Sequence, residues 1–284
     1  MGDRTQIPWC DASLNVTRGC TRCPPMRDGG CYAERMAARF AGPGQPYEGT
    51  ITDGRWNGHI RTVEECLEDP IRWRKPRLIF INSMSDLFHE AIPDEYIWRV
   101  FEMMAIAHGK NGHVFLLLTK RWNRMMEFSL KAQEAQEAAL REGRMAAQWP
   151  PRGVWWGHSI WDQPSANGSI PLLLRTSAAL RFVSVEPMLG PVDLSRYLFS
   201  SGPDGEPAPR NDPPLPCLSW VICGCESGPN ARPMGIEWVR SLRDQCVEAD
   251  VAFYLKQAAF GCRIIKMPEL DGRVWDQMPG DVVS

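Results

Sequence analysis

Three cysteines near the amino terminus have the residue type and spacing of a metal–sulfur site. Cys20 and Cys23 are separated by two residues, and Cys31 follows a loop that ends in Gly29 and Gly30. Cysteine thiolates hold both zinc and iron–sulfur clusters, and structural zinc sites normally have four protein ligands. Three thiolates therefore fit an iron–sulfur cluster with one open iron. Because an open iron can bind and activate a small molecule, the pattern favours catalysis over a structural staple.

A zinc site is the alternative interpretation of the same residues. Cys10 precedes the three cysteines and could supply the fourth thiolate. Two further cysteines, Cys223 and Cys225, flank Gly224 later in the chain. We interpret this second pair as small buried hydrophobic residues, because that is the commonest environment of a free cysteine.

The composition limits the class of protein. The chain has 284 residues, is 44% hydrophobic and carries a formal net charge of −2, so it can bury a sizeable core and has no overall field that attracts nucleic acid or anionic lipid. It contains no apolar run near the length of about 20 residues that a transmembrane helix needs, and its first residues lack a signal-peptide core. We expect a cytoplasmic protein with no membrane partner, whose ten cysteines are reduced or metal-bound.

Short apolar runs alternate with amphipathic segments along the chain, and both are needed to position the cysteines. The runs predict buried strands of a parallel sheet at 78–81, 114–118, 154–157, 182–185, 220–223 and 252–255, with a weaker candidate at 14–17. The segments between them predict helices at 31–40, 93–108, 123–147, 169–179 and 236–249.

Strand–helix alternation of this kind predicts an α/β fold. We expect a partial (β/α) barrel of six to seven parallel strands, and an open doubly wound sheet is the second choice. The barrel is expected to be a single domain at 1–261, with a cluster loop at about 19–31 and a proline-rich insertion at 200–216. Residues 262–284 are expected to form a loose carboxyl-terminal tail.

Polar residues follow the predicted strands one after another. Ligands of parallel α/β folds bind at the carboxyl ends of the strands, so these residues predict an active-site rim. They are Asn82, Ser83, Ser85 and Asp86 after 78–81, Lys120 and Arg121 after 114–118, His158 and Ser159 after 154–157, Glu186 after 182–185, Glu226 after 220–223, and Lys256 after 252–255.

The chain also resembles a known family over the region from about Trp9 to Gln257. The matching segments are Gly19-Cys20, Cys31-Tyr32-Ala33-Glu34-Arg35, and the stretches 82–89, 118–121, 181–191, 226–229 and 231–234. These segments resemble the phage-associated three-cysteine family of unknown function, which is related to radical S-adenosylmethionine (SAM) enzymes. The spacing here is Cys-x2-Cys-x7-Cys, whereas that family usually has the long gap first and radical SAM enzymes usually have Cys-x3-Cys-x2-Cys.

The resemblance implies a radical SAM-like partial barrel with a [4Fe-4S] cluster on Cys20, Cys23 and Cys31, and SAM at the open iron. The cluster would pass one electron to the sulfonium, and the resulting adenosyl radical would remove a hydrogen atom from the substrate. Such chemistry implies an electron donor protein as a partner.

Roles for the rim residues follow from their positions. We expect six residues to contact the cofactor, namely Asn82, Ser83, Ser85, Asp86, Glu186 and Arg121. We expect Glu226, Lys120 and Lys256 to act in catalysis, with the two lysines meeting a carboxylate or a phosphate. For Glu186 and Glu226 an internal ion pair with one of these basic residues is the alternative.

Nucleic acid is the leading substrate hypothesis, with base modification or lesion repair as the reaction. Basic and aromatic residues alternate at 72–77 and 120–124, which we expect to line the rim. A base flipped from a duplex could stack on Trp155, Trp156 or Trp161. The alternatives are an iron–sulfur protein that does redox or photochemical work without SAM, and a zinc-stapled nucleic-acid-binding protein.

Overall fold

The computed structural model describes residues 5–26, 30–199, 217–260 and 263–280. The chain divides into two compact units, of which the first is Met1–Trp156 with Ser177–Ala179 and the second is Gly157–Thr176 with Leu180–Ser284. Both units mix helices with parallel strands, so the predicted α/β class is confirmed. The proline-rich insertion predicted at 200–216 lies outside the described residues. No helix in the described ranges combines the length and the apolar character that crossing a membrane requires.

The first unit contains a parallel sheet and two short antiparallel pairs of strands. Its strands are β1 (Ala12–Leu14), β2 (Thr17–Arg18), β3 (Ile51–Thr52), β4 (Arg55–Trp56), β5 (Arg61–Thr62), β6 (Leu78–Ile81) and β7 (Val114–Thr119). Strand β6 pairs in parallel with β1 on one side and β7 on the other. The pairs β2–β5 and β3–β4 are antiparallel and short. The buried residues of β6 and β7 are apolar on both faces except for Thr119 at the end of β7, and this apolar pattern predicted a covered parallel sheet.

Four helices belong to the described residues of the first unit. They are α1 (Tyr32–Ala38), α2 (Asp69–Arg72), α3 (Asp94–Asn111) and α4 (Trp122–Arg141), with 3₁₀ turns at Pro24–Met26 and Glu64–Cys66. Helix α3 continues past Gly109, where the sequence predicted its end. It stops at Gly112, whose φ of +72° gives the left-handed conformation that ends many helices. Helix α4 ends six residues before its predicted limit of 147, next to Gly143 with φ +69°.

The second unit repeats the same architecture. Its strands are β8 (Val154–Ile160), which begins in the first unit, β9 (Leu180–Val185), β10 (Trp220–Gly224), β11 (Ala252–Phe260), β12 (Arg263–Lys266), β13 (Glu269–Leu270) and β14 (Arg273–Val274). Strand β10 pairs in parallel with β9 and β11, and β12 returns antiparallel along β11. The helices are α5 (Gln163–Arg175), α6 (Ser195–Leu198) and α7 (Ile236–Glu248).

Two predicted elements lie elsewhere in the structure for identifiable reasons. The strand predicted at 14–17 ends at Leu14, because Thr17 donates its N–H to the side chain of Asn82 and leaves the sheet. The helix predicted at 169–179 starts six residues earlier. Its start is a capping box in which Asp162 accepts from the N–H of Ser165, and this short-range signal outweighs Pro171 inside the helix.

The carboxyl-terminal stretch, which we expected to be a loose tail, contains paired strands in its described residues. Strand β12 pairs antiparallel with β11, and β13 and β14 form a small antiparallel pair. Trp275 is 8% exposed and packs edge-on against Phe253 of β11. An aromatic ring of that size buries a large area, so this contact helps to hold the stretch on the unit.

His158 on β8 makes a prediction for the pH dependence of stability. It is fully buried, its Nδ1 lies 2.9 Å from Oγ of Ser169 on α5, and burial lowers the pKa of His158 from 6.5 to about 3. The unfolded chain therefore binds a proton below about pH 6.5 that the folded chain does not. We expect this residue to reduce the free energy of unfolding by about 1.4 kcal/mol per pH unit as the pH falls from 6.5 towards 3.

Urea unfolding of wild type and His158→Gln at several pH values measures this contribution. The carboxylates titrate alike in the two proteins. The difference between the two slopes of unfolding free energy against pH therefore gives the contribution of His158. Parallel stability curves between pH 6.5 and 4.5 would contradict the assignment of a neutral buried imidazole.

Candidate functional site

The three amino-terminal cysteines lie in one loop region of the first unit. Cys20 and Cys23 follow β2, and Cys31 is the residue that precedes α1, as predicted. All three are partly buried. Burial and the charge of Asp86 raise the pKa of the Cys20 thiol to about 12. Burial also raises the pKa of Cys23.

Two cations act against this rise. Lys120 and Arg121 lower the pKa of Cys23, and Arg121 also lowers that of Cys20. The charges of Cys23 and Cys31 act on Cys20, and the charge of Cys31 acts on Cys23, so the three thiols are within electrostatic reach of one another. The loop thus places three thiols beside two positive charges.

The described cysteines form no disulfide. In the ranges that the structure describes, no three His, Cys, Asp or Glu side chains are arranged so that they could hold a metal ion. Residues 27–29, between Cys23 and Cys31, lie outside those ranges. The predicted metal ligands Cys20, Cys23 and Cys31 therefore share a region without forming a closed coordination site.

A buried ion pair fixes the loop to the helix that follows it. Arg22 donates from Nε and Nη2 to the two carboxylate oxygens of Glu34 on α1, at 2.9 and 2.6 Å. Glu34 is 4% exposed and also accepts from the N–H of Trp56 on β4 at 3.0 Å. Burial alone would raise the pKa of Glu34, but the bonds from Arg22 and Trp56 outweigh it and lower the pKa. Sequence reasoning assigned no role to Glu34, although it lies within the matching segment 31–35.

Gly19 sets the path of the chain into Cys20. Its φ is +91°, and a Cβ added there would lie 2.0 Å from the carbonyl oxygen of His59. No side chain fits at such a contact, so only glycine allows the two backbone segments to approach.

The segment after β6 is bound to the loop that leads to the cysteines. Asn82, with φ +61°, donates from Nδ2 to Oγ1 of Thr17 and accepts its N–H on Oδ1. Ser85 donates to the carbonyl of Thr17, and Ser83 lies 3.4 Å from the side chain of Asn15. The structure thus brings these three predicted cofactor contacts next to the cluster loop, where their side chains hold neighbouring backbone and side-chain groups.

Asp86 joins the segment after β6 to the segment after β7. Its Oδ1 accepts from Thr119 Oγ1 at 2.7 Å and from the N–H of Phe88, and its Oδ2 accepts from the N–H of Lys120 at 3.0 Å. The carboxylate is 8% exposed. It therefore positions Lys120 and the residue after it beside the cysteines.

Arg121 reaches into the cluster loop itself. Its Nη2 donates to Oγ1 of Thr21 at 2.6 Å, and its Nε pairs with Glu90 at 3.1 Å. His89 contacts the same hydroxyl group at 3.0 Å, and burial together with Arg121 lowers the pKa of His89. A cation and a neutral imidazole thus both contact the residue that follows Cys20.

The second unit holds the remaining predicted residues. Glu186 follows β9 and pairs with Lys256 of β11, with the two charged groups 2.5 Å apart and both side chains about one-fifth exposed. Gly224 on β10 leaves room for this pair, since a Cβ there would lie 3.3 Å from the carboxyl carbon of Glu186. The pairing agrees with the alternative interpretation of Glu186 as a member of an internal ion pair.

Glu226 is also paired, but with a residue that sequence reasoning did not consider. Its Oε2 accepts from the backbone N–H and Nε of Arg232, and its Oε1 accepts from Nη2 at 2.7 Å. The carboxylate closes the loop 226–232 on itself. Cys223 and Cys225 are buried, and burial raises the pKa of Cys225 to about 11, in agreement with their interpretation as small apolar residues.

Two predictions about nucleic-acid contacts are wrong. Trp156 cannot stack on a base, because it is fully buried and packs against Phe88 and Phe101. The basic segment 72–77 does not share an edge with 120–124. It precedes β6, whereas Lys120 follows the parallel strand β7, so the two segments lie at opposite ends of these strands.

Comparison with known proteins gives one match. The model of a family described as a protein of unknown function (DUF5131) matches residues 4–279. No curated protein and no solved structure matches the chain.

Proposed function

We propose that this chain, which belongs to the DUF5131 family, is an iron–sulfur enzyme with radical SAM-like chemistry on a partial (β/α) barrel. The observation that carries the proposal is the group of three thiols in one loop region, with Arg121 near Cys20 and both Lys120 and Arg121 near Cys23, close enough to oppose the rise in thiol pKa that burial causes. The donors are of the type that iron–sulfur clusters use.

The charge of the surroundings supports the same assignment. Three thiolates bring negative charge into a partly buried site, and an uncompensated charge there is costly. Lys120 and Arg121 supply the compensation, and Asp86 holds Lys120 in place through its backbone N–H. The positive charge is therefore present at the loop before any cluster is bound.

The open arrangement of the thiols is compatible with this role. Metal sites are rarely preformed, and binding is coupled to folding of the ligand loop. The ends of the loop are already held, by Gly19 at one side and by the Arg22–Glu34 pair at the other.

Bound at Cys20, Cys23 and Cys31, a [4Fe-4S] cluster with SAM would supply reductive cleavage of SAM and hydrogen-atom abstraction. The protein would orient the reactants. In the first unit, Lys120 and Arg121 suit an anionic group. In the second unit, Glu186 and Lys256 neutralise each other.

Nucleic acid is the proposed substrate. Lys120 at the cysteine loop suits a phosphate, and Trp155 and Trp161 are partly exposed aromatic residues of the kind on which a base stacks. Arg74 and Lys75 are exposed at the other end of the strands, where they suit backbone contacts away from the reaction.

Anaerobic incubation of reconstituted protein with SAM and dithionite tests the activity, since dithionite replaces the electron donor protein. We expect release of 5′-deoxyadenosine, increased by single-stranded or duplex DNA and absent from Cys31→Ser. Cys66→Ser is the matched control, because Cys66 is also partly buried but bonds to the carbonyls of Asn15 and Val63.

Three results separate the proposal from its alternatives. Release of 5′-deoxyadenosine in wild type and Cys66→Ser alone supports the radical enzyme. A brown protein that leaves SAM intact supports an iron–sulfur protein with a redox or photochemical function that does not use SAM. A colourless zinc protein that also loses its metal in Cys10→Ser supports the zinc-stapled binding protein.

A further inference from the structure

Thr21 stands between the first two cysteines and has an unusual hydrogen-bond environment. Its Oγ1 lies 3.0 Å from Nε2 of His89 and 2.6 Å from Nη2 of Arg121. A Cβ added at Gly58 would lie 3.5 Å from its Cγ2, so the methyl group faces Gly58. The hydroxyl group is thereby fixed in direction by three neighbours.

The tautomer of His89 follows from its other ring nitrogen. Ala91 donates its N–H to Nδ1 of His89 at 3.2 Å, so Nδ1 carries no hydrogen. The hydrogen of the neutral ring is therefore on Nε2, and His89 donates to Thr21. Arg121 can only donate.

The oxygen of Thr21 thus accepts from two donors, which uses both of its lone pairs. Its own hydrogen cannot point at His89 or Arg121, and within the described residues it has no acceptor. The hydrogen of a hydroxyl group held in this way remains available for donation, and Thr21 lies directly after Cys20 and two residues before Cys23.

We propose that Thr21 donates a hydrogen bond to the sulfur-rich group that Cys20, Cys23 and Cys31 hold, with His89 and Arg121 as positioning residues that orient the donor. The inference rests on the proposed function and adds a residue that sets the electronic properties of the site. Hydrogen bonds to cluster sulfurs are one of the means by which a protein sets the reduction potential.

The direction of the effect follows from charge. A hydrogen bond to sulfur stabilises the reduced form more than the oxidised form, because the reduced form carries more negative charge. Thr21→Val keeps the shape and removes the donor, whereas Thr21→Ser keeps the donor. We expect the midpoint potential of reconstituted Thr21→Val to be more negative than that of wild type, and Thr21→Ser to stay near wild type.

Spectroelectrochemical titration of the three reconstituted proteins measures the potentials, and melting temperatures of the three metal-free proteins report any structural role. A potential for Thr21→Val that equals that of wild type overturns the inference while leaving the proposed function in place. Wild type that takes up no iron and sulfide overturns both.

A Thr21→Val protein that fails to hold a cluster is also informative. If its metal-free form melts like wild type, and Thr21→Ser holds a cluster, the donor itself is needed and the inference stands. If its metal-free form melts at a lower temperature than metal-free wild type, Thr21 stabilises the folded protein and the inference is overturned.

Discussion

Replacing Glu34 by alanine is expected to reduce the free energy of unfolding by about 3–5 kcal/mol, the range for breaking one side of a buried ion pair. The substitution leaves Arg22 without its carboxylate and the N–H of Trp56 without its acceptor. Natural domains are stable by only about 5–15 kcal/mol, so this substitution removes a large share of the free energy of unfolding. The same loss frees the loop that carries Cys20 and Cys23, so cluster uptake should fall with it.

The chain contains a matched control for this substitution. Arg99 donates to both oxygens of Glu64 in the same bidentate manner, but these side chains are 55% and 51% exposed. Glu64→Ala should cost less than about 1 kcal/mol, because exposed pairs are screened by water. Equal losses in the two variants, measured by urea unfolding, would show that burial of the Arg22–Glu34 pair is not what stabilises the loop.

The pH dependence gives a second check on Glu34. The pKa of Glu34 is lowered in the folded state from its ordinary value of 4.5. Its contribution to the free energy of unfolding is therefore complete at pH values above 4.5 and is lost as the pH falls through the lower pKa of the folded state. The difference in stability between wild type and Glu34→Ala should therefore be constant near neutral pH and shrink in acid. A difference that grows in acid would contradict the assignment.

Gly19→Ala is expected to be of similar severity. The positive φ costs an alanine about 1–3 kcal/mol, and overpacking against the carbonyl of His59 adds about 1–3 kcal/mol more. Relief of the contact would require the cluster loop to move away from the segment that carries His59. We therefore expect both a lower unfolding free energy and weaker cluster uptake.

Gly54→Ala separates the two costs. Gly54 has a φ of +73° at the turn between β3 and β4, and a Cβ there would meet nothing within 4 Å. Gly54→Ala should lose only the unfolding free energy that the positive φ costs, and it should keep full cluster uptake. If Gly54→Ala and Gly19→Ala behave alike in unfolding and in iron content, the close approach at His59 has no role in the site.

The sequence predicts the parts of the fold that local patterns determine. Continuous apolar runs located β6, β7, β9, β10 and β11 to within a few residues, because buried parallel strands need apolar side chains on both faces. The sequence also predicts that Cys31 lies at the start of a helix. The start of α5 was missed although Asp162 and Ser165 form a capping box, a signal that the sequence does contain.

The parts that could not be predicted depend on contacts between distant segments. Nothing local in the sequence pairs Arg22 with Glu34 or places Trp56 beside them. The same holds for the hydroxyl group of Thr21, whose partners His89 and Arg121 are 68 and 100 residues away. Likewise, the order of segments 72–77 and 120–124 along parallel strands, rather than their composition, puts them at opposite edges.

Iron and sulfide content after anaerobic reconstitution measures most directly whether three thiols hold a cluster with an open iron. We expect about four irons and four sulfides per wild-type chain, unchanged in Cys10→Ser and Cys66→Ser and lost when Cys20, Cys23 and Cys31 are all replaced by serine. Zinc in place of iron, or iron that stays when the three cysteines are removed, would contradict it.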